Sequence, residues 1–107
     1  MLPTPTTVAA AVTAGAASIP SNLALSLIYQ DGAQSYPIVN FEYVVVNTKQ
    51  ASSDDALALR TFLEWTIDPA GGSLPSLLSA ENFLGLKASV PASVLTAITS
   101  VINSISS

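Results

Sequence analysis

The residues predict an α/β chain. Three observations carry that reading: a run dense in β-branched and aromatic residues from Tyr36 to Val46, an alternating apolar run from Leu23 to Tyr29, and helix-period apolar stripes after Ser52 and Pro91. At 107 residues the chain has room for one domain or a part of one.

The first element is a helix. Thr4 is placed to cap it, and Pro5 suits a first turn whose N–H has no partner within the helix. Val8, Ala11 and Val12 supply a modest apolar face, and Gly15 loosens the end. No side chain is charged from Met1 to Gln30, and Ala-x-Ala spacings lie between Ala9 and Ser18. A signal peptide also needs a positive n-region, yet the first basic residue is Lys49. Pro20, Ser21 and Asn22 interrupt the stretch before it reaches the ~20 apolar residues of a membrane span.

Leu23, Leu25, Leu27 and Tyr29 fall on one face of a strand, which Asp31-Gly32 then turns. Tyr36 to Val46 reads as a second, longer strand that Pro37 places at an edge where it begins. Its end, Tyr43 to Val46, is continuously apolar, as in a strand covered on both faces, and such a strand has parallel neighbours that are not recognisable here. Ser52 followed by Asp54 and Asp55 marks a helix start. Ala56, Leu59, Phe62, Leu63 and Ile67 form its apolar face, with Arg60, Glu64 and Asp68 opposite, and Asp68-Pro69 and Gly71-Gly72 end it. Leu74, Leu77, Leu78 and Phe83 suit a short helix that leaves through Gly85. Pro91 opens the last helix, in which Val94, Ile98, Val101 and Ile105 form one stripe flanked by Leu95 and Ile102.

Composition narrows the functions. Three Lys or Arg against seven Asp or Glu give a net charge of −4, so no basic footprint for nucleic acid exists. Without Cys or His the thiolate and imidazole metal ligands and the usual catalytic base are missing. Only 9% of residues are charged, whereas 24 are Ser or Thr, so the polar surface is built from neutral hydroxyls. Asp54 and Asp55 compensate a helix dipole, and Glu64 and Asp68 lie on a solvated helix face. Glu42 stands out inside the most apolar run, and a carboxylate pair of Glu42 with Glu81 or Asp31 is the one enzymatic arrangement to weigh. Gly71-Gly72-Ser73-Leu74-Pro75 lacks the last glycine of a nucleophile elbow, and the five glycines have neither Walker nor dinucleotide spacing. Arg60, the only arginine, has Glu64 four residues on and reads as half of a surface pair rather than an anion clamp. The residues taken by themselves support a non-enzymatic α/β piece.

A resemblance adds to this. Gln34-Ser-Tyr-Pro-Ile-Val-Asn-Phe-Glu-Tyr-Val-Val-Val-Asn-Thr-Lys-Gln50, followed by Leu59-Arg-Thr-Phe-Leu-Glu-Trp65, resembles the C-terminal third of the phosphate-binding proteins of high-affinity phosphate ABC importers. The similarity runs from Leu2-Pro-Thr-Pro5 to Ile105-Ser-Ser107 and is most specific at Tyr36-Pro37-Ile38, Tyr43 and Phe62-Leu63-x-Trp65. The richness in Ala, Ser and Thr is like that of actinobacterial members. The resemblance implies part of a type-II periplasmic-binding-protein fold, two-lobed and closing over its solute. Residues 1–35 would be the tail of lobe two, 36–40 a hinge-crossing segment, and 41–107 the C-terminal part of lobe one, with Tyr36 and Pro37 as structural hinge residues. It further implies an extracytoplasmic location, the importer's membrane subunits and the missing N-terminal lobe segments as partners, and no cofactor. The family's arginine followed by Ser-Gly-Thr has no counterpart here, so no phosphate ligand, catalytic residue or metal ligand is assigned. Inorganic phosphate is then a ligand of the full-length protein only. The alternatives are a small α/β interaction module and a degenerate paralogue that binds nothing.

Overall fold

The computed structural model describes Met1–Ser107 and contains five helices and no sheet. Helices hold 45% of the residues and strand-like positions 2%. The α/β expectation, and with it the partial two-lobed type-II fold with a hinge-crossing strand, is therefore overturned. The chain is elongated, 48 × 30 × 20 Å, with a radius of gyration of 14.9 Å, against about 13 Å for a sphere-like chain of this length.

α1 (Pro5–Ala16) starts as its residues dictate. The Thr4 hydroxyl accepts from the Thr7 N–H, the Thr7 hydroxyl accepts from the Thr4 N–H, and Pro5 opens the first turn. Ala11 and Val12 are buried and Val8 is half-buried against them. Gly15 does not loosen the helix, which continues to Ala16. A Cβ at Gly15 would lie 2.4 Å from Leu27 Cδ2, so the glycine makes room for the close approach of that side chain.

Neither expected strand forms. Leu23 and Tyr29 both adopt left-handed backbone, φ 61° and 56°, and this breaks the alternation at each end of the run. The N–H groups of Ala24 and Ile28, which lie between them, donate to the side chains of Asn22 and Ser26, so local turns displace a ladder. Tyr36 to Val46 is non-helical and unpaired. Its one connection to Leu23–Tyr29 resembling pairing is the N–H of Tyr29 donating to the Pro37 carbonyl at 2.9 Å. Strand propensity describes a surface that fits beside neighbours, and no neighbouring strand is in place. The sole ladder fragment is an isolated parallel bridge of Lys49 with Ser106, in which Gln50 donates to Ser106 and Ser106 to Thr48.

α2 (Ser53–Thr66) is capped by Ser52, whose hydroxyl accepts from the Asp55 N–H and donates to its carboxylate. Ala56 and Leu63 are buried and Leu59 and Ile67 partly so, but Phe62 points outward and stacks on Trp65. α3 (Pro75–Ala80) is the expected short helix, though it ends well before Gly85, where Asn82 turns the chain at φ 57°. A further turn, α4 (Leu86–Ser89), was not foreseen from the residues. α5 (Ala92–Asn103) follows Pro91. Of its expected stripe Val94 and Ile98 are half-buried and Ile105 is buried just beyond the helix end, while Val101 is exposed and the flanking Ile102 is buried in its place.

These elements make two separate cores. Ala11, Val12, Leu27 and Val39 form the first, with Val8, Leu25, Tyr36, Phe41 and Val90 around it. Ala56, Leu63, Ile102 and Ile105 form the second, where α2 packs on α5.

Candidate functional site

The segment Tyr36–Val46 runs from one core to the other. Tyr36, Val39 and Phe41 pack on the first, Val46 on the second, and the residues between face outward. It is fixed at its start by the Tyr36 N–H, which donates to the Thr7 carbonyl at 3.0 Å, and by the Pro37 carbonyl bond to Tyr29. The hinge candidates Tyr36 and Pro37 thus tie the segment to the first turn of α1 and to Tyr29. Farther along, the Tyr43 hydroxyl accepts from the Leu25 N–H at 3.0 Å and donates to the Leu25 carbonyl at 2.8 Å. Phe41 meets Tyr43 edge to face, with ring centroids 6.3 Å apart.

From Ile38 to Val46 no backbone N–H or C=O makes a hydrogen bond within the chain. Most of the side chains along this stretch are apolar, and two of them stand well exposed: Val44 is 65% exposed and Val45 95%. Beside this segment lies a cleft of about 700 Å³, whose 31 lining residues include 23 hydrophobic ones. Val12 and Val39 of the first core and Leu63 and Ile102 of the second both contribute to its walls. Its polar lining includes Asn40, Glu42, Glu81 and Asn82. An apolar cleft of this composition suits apolar side chains better than a dianion, whose recognition needs convergent N–H, hydroxyl or guanidinium donors.

Of the carboxylates weighed from the sequence, Glu42 and Glu81 both line the cleft, whereas Asp31 does not. No group of three or more acidic side chains is placed to hold a metal ion. Arg60, expected as half of a surface pair with Glu64, is engaged elsewhere. Its guanidinium donates to the Ile105 carbonyl at 2.5 Å, fastening α2 to the end of the chain. Lys49 Nζ donates to the Ser107 carbonyl in the same area. The role of Tyr43 as a cross-brace was missed. A strand reading aims its ring at a sheet face, while the observed contact depends on the turns at Leu23 and Tyr29. No helix is long and apolar enough to cross a membrane. No protein-family model matches the sequence, and no solved structure matches the fold.

Proposed function

We propose that this chain is a scaffold portion of the solute-binding component of a phosphate ABC importer, working outside the cytoplasm, and that by itself it holds no phosphate. The observation that carries the proposal is Ile38–Val46, a mostly apolar run whose backbone makes no hydrogen bond within the chain and whose Val44 and Val45 are exposed beside an apolar cleft. Surfaces of this kind are completed by further protein. The residue resemblance suggests which protein: the binding component's other segments, with the importer's membrane subunits as the next partners. The reading rests on those residues and on the open segment. It makes no use of an α/β architecture, which this chain lacks.

Absence of phosphate binding follows from the missing Ser-Gly-Thr segment and from the engagement of the only arginine with Ile105. Calorimetric titration of the chain with inorganic phosphate should give only heats of dilution, and a micromolar or tighter Kd would overturn that part. The importer assignment is tested by translating the DNA in frame on the 5′ side of the Met1 codon. An arginine with a following Ser-Gly-Thr segment supports it. An immediate stop codon defeats it in favour of a freestanding interaction module, the second reading, which the apolar cleft also favours.

A further inference from the structure

We propose that the cleft between the two cores binds an apolar organic cation, a substituted ammonium carried on a hydrocarbon body. This goes beyond the importer reading and does not depend on it, since that reading supplies protein for the open run and gives the cleft no small molecule. Size and lining come first. At about 700 Å³ the cleft falls within the roughly 300–1,000 Å³ of small-molecule pockets, which are mostly apolar with a few polar groups that fix orientation. Its walls reach into both cores, through Val12 on one side and Leu63 and Ile102 on the other. A hydrocarbon body seated there leaves water for an apolar surround.

Charge then selects the class of ligand. Glu42 and Glu81 are the only charged side chains in the lining, and both are exposed, so they stand where the cleft meets water. No cation of the chain is there to balance them. Lys49 and Arg60 donate to the Ser107 and Ile105 carbonyls, and Lys87 lies outside the lining. A carboxylate-headed ligand would meet like charge at that rim and no base to hold it, whereas a cationic head meets two opposite charges. Aromatic rings strengthen the preference. Tyr36, Phe41, Tyr43 and Phe83 all line the cleft, and ring faces attract ammonium groups. Tyr43 is already fixed in place by its hydroxyl bonds to Leu25. Apolar walls, four rings and two carboxylates without a base define a cation with its head at the rim and its body inside.

Decyltrimethylammonium and decanoate, both used as monomers, carry opposite heads on chains of the same length. Calorimetric titration of the full chain should show saturable binding of the ammonium, roughly ten-fold tighter than of decanoate. The ammonium should shift the amide resonances of Asn40 and Phe83 in the cleft and leave those of Thr96 and Thr99, outside it, unmoved. In E42Q/E81Q the preference for the ammonium should largely disappear. D54N/E64Q makes the same change in net charge at two exposed carboxylates outside the cleft and should keep the preference, with circular dichroism confirming the helices of both variants. No saturable binding of the ammonium, equal affinity for decanoate, shifts confined to residues outside the cleft, or a preference unchanged in E42Q/E81Q or lost equally in D54N/E64Q overturns the proposal.

Discussion

The two cores are built from different materials. The second sets helix on helix: α2 and α5 satisfy their own backbone bonds, and Ala56, Leu63, Ile102 and Ile105 need only meet. The first sets α1 against irregular chain, so Leu27 and Val39 are held by bonds that cross the turns. The Ser35 hydroxyl donates to the Asp31 carbonyl, the Gln30 amide to the Ser26 carbonyl, and the Tyr43 hydroxyl braces Leu25. Two non-glycine residues, Leu23 and Tyr29, stand there in left-handed backbone, a conformation that costs of order 1–3 kcal/mol and persists only when its surroundings enforce it. Local opening should therefore begin in the first core, and the helix pair should outlast it.

The sharpest way to break this comparison is Leu27→Ala. Leu27 is fully buried, and its truncation should cost about 3 kcal/mol. Amide exchange should then accelerate in α1 while α2 and α5 keep their protection. Equal loss in all three helices would mean that the two cores unfold as one unit. Gly15→Ala comes next, because the new methyl meets Leu27 Cδ2 at 2.4 Å. Overpacking of this kind should lower stability by about 2 kcal/mol in chemical denaturation, and a neutral result would show that Leu27 moves freely. The smallest effect sharpens the other side. Ser52→Ala removes the cap of α2, at about 1 kcal/mol, and its exchange signature should be confined to α2 and the α5 amides packed on it.

What could be read in advance divides along the same line. Thr4 with Pro5, Ser52 with Asp55, and Pro91 mark helix starts correctly, since a cap acts over three or four residues and needs no distant partner. Faces were less secure. Phe62 and Val101 have helical spacing to their stripes, yet the helix pair buries Leu63 and Ile102 and leaves them outside. The strands failed altogether. Leu23–Tyr29 alternates like a strand, but Asn22 and Ser26 offer its backbone nearer partners. Of the candidate site, the apolar wealth and oddity of Tyr36–Val46 were legible, along with the presence of Glu42 in it. The cleft and the Tyr43 brace were not, because both require α1, the turns and α5 to be in place around the segment.

By itself, then, the sequence determined the starts of α1, α2 and α5, the richness in neutral hydroxyls, and the lack of imidazole, thiolate and basic-patch chemistry. Those properties depend on residue type or on bonds within one turn. Only the tertiary structure decided that Tyr36–Val46 is an irregular segment without strand partners rather than a sheet strand, and that two small cores flank an apolar cleft. The reason is physical: a helix closes its hydrogen bonds within itself, whereas a strand exists only when another stretch of backbone comes to meet it.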